Sequence, residues 1–225
     1  MKPDSGPERL FRTLEFNGCL LQKSSFDVTK YTTYQYDEIG RLTKVDFYGF
    51  DFPIQNQSGW GSGYRIQYDG ASDKPKKIVG YSTPKPIFGM FLAEIIVMDN
   101  GVKAQKNGES DYEYDANGNV SKRQTYIYDK DAAHTKLLVR IDTYTYDDKT
   151  NNMGPFYYLM FDINTIPYGF SKNNLTGVKS INYYGGVETV EPDLVSKIQY
   201  DNLGNITTLK RPYMYTLENI VWKCH

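Results

Sequence analysis

The chain has 225 residues, long enough for one large β domain or two small ones, with 40% apolar and 24% charged residues. A formal net charge of -1 excludes a strongly basic polyanion-binding surface, so nucleic acid is not an expected partner, and the apolar fraction is too high for a disordered chain. Tyrosine is the unusual residue, with 21 copies against 11 Phe and 2 Trp; its apolar ring and wet hydroxyl suit strands that are half covered.

Residues 1 to 10 (MKPDSGPERL) read as a flexible polar segment with no apolar h-region, so no signal peptide is read in them. Strand-like runs follow, divided by Asn-Gly pairs that predict hairpins at Asn17-Gly18, Asn100-Gly101 and Asn107-Gly108. A longer phrase recurs between them: YQYDEIGRLTKV from Tyr34, YEYDANGNVSKR from Tyr112 and IQYDNLGNITTL from Ile198. Its core is Tyr-Asp, two variable residues, Gly, then Arg or Asn and an aliphatic residue. An Asp that accepts backbone N–H bonds, followed three positions later by a Gly with positive φ, predicts a type I turn with a G1 bulge. The alternating tyrosines on either side predict the paired strands. Partial copies at Tyr68-Asp69, Tyr128-Asp129 and Tyr146-Asp147 lack the full ending. Tyr36 to Tyr68 and Tyr114 to Tyr146 are each 32 residues apart, which fits two related halves, each with one complete turn and one longer, degenerate turn.

Two segments break the rhythm. Residues 53–63 (PIQNQSGWGSG) form a polar, Gly-rich loop, and residues 148–175 mix apolar residues with Asn, Gly and Pro in a pattern that fits a short helix or a doubly buried strand equally well. No run of 12 or more residues keeps helical apolar spacing without interruption. The expected fold is therefore all-β: a single domain over residues 1–225, an antiparallel up-and-down meander of roughly ten to twelve strands, curled into a barrel-like or half-barrel sheet. Cys19 and Cys224 lie near opposite ends; a bridge between them and two separate thiols both fit the sequence, and they carry no metal spacing.

The Tyr-Asp phrase resembles the YD repeat of Rhs-type proteins, but three complete copies spaced by 78 and 86 residues are too few and too sparse for a hollow Rhs shell. Taken with SKNNLTGVKSINY from Ser171, the three phrases look more like secreted Bacteroidota domains of unknown function with a porin-like fold, over about Tyr31 to Leu209. This resemblance implies a curled antiparallel sheet, export through the inner membrane and a lipid anchor. It transfers no catalytic residues.

Candidate chemistry is sparse. Ser62, His134 and His225 are the components of a Ser-His-Asp set, but no G-x-S-x-G elbow surrounds Ser62, and a Gly-Ser loop is the simpler reading. Asp129, Asp131 and His134, or the DANGN stretch from Asp115, lack the ligand pattern of a metal loop, and turn chemistry accounts for DANGN. No cofactor motif is present. Trp60 with Tyr64 is the expected ligand-binding pair, a flat apolar face in a polar loop with Gln55, Asn56 and Gln57 beside it; a Trp folded back on the sheet edge is the structural alternative. Strands such as Ser121 to Tyr126 and Val178 to Tyr184 lack the tall apolar face of an outer-membrane barrel.

The expected function is a non-enzymatic binding or structural module that is secreted, periplasmic or at the cell surface, with polysaccharide or protein as its partner and membrane association only through a lipid anchor. One alternative is a periplasmic carrier whose hydrophobic ligand is lined by Ile87 to Met98 and Phe156 to Ile163. The other is a glycosidase-like enzyme with two carboxylates assembled in space.

Overall fold

In a computed structural model of the chain, the three Tyr-Asp phrases close hairpins of one shared geometry. Gly40, Gly118 and Gly204 adopt φ of 84°, 90° and 82°. In each turn the glycine N–H donates to the carbonyl of the preceding Asp, at 3.0 to 3.1 Å, and the Asp N–H donates to the carbonyl four residues on, at 2.9 Å. The strand register shifts by one residue just before each of these aspartates, at Gln35/Tyr36, Glu113/Tyr114 and Gln199/Tyr200. That shift is the G1 bulge required by a left-handed glycine.

The structure describes residues 13–18, 20–25, 30–49, 61–83, 95–99, 101, 103–128, 135–151, 169–210 and 216–218. The strands are β1 (Thr13–Asn17), β2 (Leu20–Ser25), β3 (Tyr31–Tyr36), β4 (Leu42–Tyr48), β5 (Gly61–Tyr68), β6 (Pro75–Ser82), β7 (Ile95–Val97) and β8 (Lys103–Tyr114). They continue as β9 (Val120–Tyr128), β10 (Lys136–Thr150), β11 (Asn173–Tyr184), β12 (Val187–Val190), β13 (Leu194–Val195), β14 (Lys197–Tyr200), β15 (Ile206–Lys210) and β16 (Thr216–Glu218).

Thirteen strands form one antiparallel meander in the order β1-β2-β3-β4-β5-β6-β8-β9-β10-β11-β12, with β7 paired to β8 and β13 to β11. Among the described residues β1 and β12 end the path without pairing to each other, so the sheet is open. A second, three-stranded sheet runs β14-β15-β16 and holds the third Tyr-Asp hairpin. The described strands outnumber the roughly ten to twelve expected because β7, β12, β13 and β16 are two to four residues long. Runs that short carry too few alternations to register as strands in the sequence.

Two predicted turns are corrected. Asn107-Gly108 lies inside β8, where Gly108 pairs with Ile127. A Cβ at Gly108 would stand 2.8 Å from the Tyr126 carbonyl oxygen, so this glycine serves a close approach of two backbones rather than a reversal. Tyr146-Asp147 lies within β10, which runs on to Thr150 across register irregularities. There the Asp147 carboxylate takes the local N–H of Lys149 and also that of Asn174, 27 residues on. By contrast β5 ends at Tyr68, as the partial copy there predicts, while Asp129 lies outside the described residues.

The chain divides into two units, one of Met1–Ile66 with Val79–Asn107 and one of Gln67–Ile78 with Gly108–His225. In the first, Tyr48, Val79, Tyr81, Met98 and Ala104 form the apolar cluster, flanked by Tyr31 and Ile96, with Tyr31 stacked on Tyr48 at 4.6 Å between ring centroids. In the second, Leu175 of β11 packs with Ile206 and Leu209 of β15, surrounded by Tyr144, Tyr146, Val178, Ile198 and Tyr200. The small sheet thus covers part of one face of the β10–β11 ladder. Tyr200 also donates its hydroxyl to Asp147 and accepts from Asn174 at 3.1 Å.

Candidate functional site

Alternation places a charged side chain inward wherever an odd or even position happens to face the covered side, and each such charge then requires a partner. In the first unit Asp46 of β4 is fully buried. Its carboxylate receives Arg65 of β5 at 2.6 Å, Lys44 at 3.2 Å and the Tyr48 hydroxyl at 3.3 Å. Gly63, directly opposite, leaves the room: a Cβ there would collide with Asp46 Oδ1 and sit 2.7 Å from the Val45 carbonyl oxygen. Lys44 also bridges to Asp99, which accepts from Gln35 at 2.8 Å.

The second unit holds two clusters. Glu109 of β8 is buried between Lys77 at 2.9 Å and Lys136 at 2.6 Å and accepts the Tyr128 hydroxyl; Lys136 also reaches Asp111 at 3.0 Å. Arg123, Asp142 and Ser180 stand side by side on β9, β10 and β11. Arg123 donates from Nε and Nη2 to Asp142 Oδ2 at 2.9 and 2.6 Å, while Arg140 Nε and the Ser180 hydroxyl donate to Oδ1 at 2.7 and 2.6 Å. Arg140 extends the network to Asn182 at 3.3 Å and to Glu191 at 3.1 and 3.2 Å, and Asn182 donates to Glu191 at 2.7 Å. Burial alone would raise the Asp142 pKa; Arg123, then Ser180 and Arg140, hold it below the ordinary carboxylate range.

The turn aspartates are anchored likewise. Asp201 is held below the usual range by the Asn205 side chain, then by the N–H groups of Asn205 and Leu203. At Asp37 and Asp115 desolvation is the largest single influence and pulls upward, but the donors, chiefly from Arg41 and Asn119, together outweigh it. A depressed folded pKa means the turns contribute their full stability above the unfolded aspartate value of roughly 3.9 and lose it as pH falls through the folded value. Urea midpoints should therefore drop from pH 5 to pH 3. In a variant with Asp37, Asp115 and Asp201 all changed to Asn, which keeps an acceptor oxygen, that drop should shrink; an unchanged drop would assign the acid sensitivity elsewhere.

Of the residues expected to bind or react, the structure describes Ser62, Tyr64 and Asp115. Tyr64 lies in β5 with its ring edge-on to Phe47, centroids 5.8 Å apart at 88°. Ser62 sits opposite Phe47 in the same strand pair. Asp115 is consumed by its turn. Trp60, Gln55, Asn56, Gln57, Asp129, Asp131, His134, His225, Cys19, Cys224 and Phe156 to Ile163 lie outside the described residues, as do residues 87–94 and 152–168. The ionic clusters escaped the sequence reading because Arg123, in SKRQTY, follows the same alternation as a solvent-facing lysine. Only the cross-strand register brings it to Asp142.

An open antiparallel meander with a second small sheet defines the fold class, and solved structures align with it. The chain is similar to a porin-like protein from Bacteroides vulgatus, with a TM-score of 0.53 and 11% identity over 90% of this chain and 80% of that one. It also aligns with a porin-like protein from Bacteroides uniformis (TM-score 0.37, 14% identity, 88% of this chain and 80% of that one). A further match is a protein of unknown function from Bacteroides fragilis (TM-score 0.32, 10% identity, 82% and 90%). The fold is thus porin-like in the sense of the first of these. No family model matches the chain, and no curated protein matches it in sequence.

Proposed function

We propose that the chain is a non-enzymatic module of the cell envelope that binds polysaccharide or protein, or serves there as a structural element. The observation that carries this reading is the commitment of the buried carboxylates Asp46, Glu109 and Asp142 to closed cross-strand ion pairs. A glycosidase acid needs a carboxyl whose pKa is raised, beside a second one across an open gap; Asp142 is shifted the other way. Likeness of fold to the Bacteroides vulgatus protein supports the envelope location by analogy, since one fold hosts many functions. The loop bearing Trp60 belongs to the same proposal as a contact for the partner.

The test incubates the purified chain with an insoluble envelope fraction of a Bacteroides strain and, separately, with a panel of glycosides. Retention on the polysaccharide or protein fraction without release of reducing sugar is expected. Hydrolysis of any glycoside, or no retention on the envelope fraction, would overturn the proposal.

A further inference from the structure

Along β11 one face changes character step by step. Leu175 and Val178 are covered by the small sheet, Ser180 and Asn182 by the Arg140 network, and Tyr184 by nothing comparable: it is 71% exposed. Across the hairpin closed by Gly185 and Gly186, Tyr184 pairs with Val187, itself 64% exposed, and Asn182 with Thr189. Strand alternation puts Val187, Thr189 and Glu191 on the same face as Tyr184.

The Glu191 carboxylate is held by Arg140 and Asn182 yet remains partly open to solvent: Oε1 takes two donors, whereas Oε2 takes one, from Arg140, and keeps acceptor capacity. A flat aromatic and a valine therefore sit beside a fixed acceptor and the exposed threonine residue that precedes it on the same face. The charges beneath cancel: Arg123 and Arg140 face Asp142 and Glu191. This favours an occupant that is uncharged, carries apolar C–H faces and donates hydroxyl hydrogens.

We infer that this ledge, Tyr184, Val187, Thr189 and Glu191, binds a neutral sugar unit of a polysaccharide, the ring stacking on Tyr184 and its hydroxyls donating to Glu191. The inference rests on the envelope-module reading above and deepens it. An added β-strand from a protein partner is disfavoured at the same edge, because β12 is four residues long, carries Glu188 and is followed by Glu191 and Pro192, the residues that block edge pairing.

The test measures binding of neutral hexasaccharides of glucose, mannose, galactose and N-acetylglucosamine to the full chain by titration calorimetry and saturation-transfer NMR. At least one should bind, with transfer to its ring C–H protons. Tyr184→Ala should weaken that binding about tenfold or more, as loss of a central aromatic contact does. Glu191→Gln should weaken it less, while Tyr183→Ala, on the opposite face, should leave it unchanged. Both tyrosine variants should keep the wild-type circular dichroism, Tyr184 being exposed. If no hexasaccharide binds, or if Tyr184→Ala and Tyr183→Ala bind alike, the ledge is not a sugar site. Retention on the envelope fraction that survives Tyr184→Ala would sink the ledge and spare the module; loss of all retention by the wild type would sink the module itself. Retention through an envelope protein alone, lost on Tyr184→Ala, would also overturn the sugar assignment.

Discussion

Asp142→Ala should destabilise the chain by about 3–5 kcal/mol, the typical cost of removing one partner from a buried ion pair. The reason lies in what remains. Arg123, with a side chain only 6% exposed, would keep its charge beside Arg140 with no carboxylate between them, and the Ser180 hydroxyl would lose its acceptor. Arg140 has a fallback in Glu191. Asp142→Asn keeps the shape and one acceptor oxygen and should cost less than Asp142→Ala. The double change Arg123→Met with Asp142→Leu removes both charges and should recover much of the loss, since the desolvation penalty goes with them. Urea denaturation at pH 7, with midpoints compared at constant slope, reads all three. A cost under about 1 kcal/mol for Asp142→Ala would mean water reaches Arg123 and that the cluster is not a sealed network.

The hairpin chemistry was legible residue by residue. Asp37, Asp115 and Asp201 each needed only local donors, and Gly40, Gly118 and Gly204 only a local positive φ, so a five-residue window held the whole interaction. Asn107-Gly108 failed because the same dipeptide answers two demands, a reversal or a close backbone approach. The second depends on Tyr126, 18 residues away, which no window around Gly108 contains. Tyr146-Asp147 failed likewise: besides the local N–H of Lys149, its aspartate takes the distant donors Asn174 and Tyr200.

The candidate ledge was invisible for a related reason. Tyr184 alternates in NYY as Tyr112 and Tyr114 do in YEY, and nothing local distinguishes a tyrosine at 71% exposure from one at 6%. Tyr184 lies beyond the β11 residues that the small sheet and the Arg140 network cover, a tertiary fact. Arg140, Asn182 and Glu191 likewise belong to three different strands or their ends, so their convergence was set by register and not by spacing.

Leu209→Ala tests whether the third Tyr-Asp hairpin is an integral part of its unit or a loosely attached appendage. Leu209 is fully buried, packed with Leu175 of β11 and Ile206 of its own strand, and directly opposite Ile198 and Leu217 in the small sheet. Truncating it removes three carbon atoms from the only side-chain cluster among the described residues that joins β15 to β11, leaving a void that the surrounding tyrosines Tyr144, Tyr146 and Tyr200 are too rigid to fill. The expected cost is about 2–5 kcal/mol. Leu203→Ala supplies the contrast: it sits in the tip of the same hairpin, 86% exposed, and should change stability by no more than about 0.5 kcal/mol. Limited proteolysis adds a local reading, because detachment of the small sheet would open the backbone on both sides of the 201–205 turn. Leu209→Ala should be cut there faster than wild type, and Leu203→Ala at the wild-type rate. Equal stability of the two variants would mean that the small sheet folds on the hydrogen bonds of its own hairpin and that its apolar face adds nothing to the larger sheet.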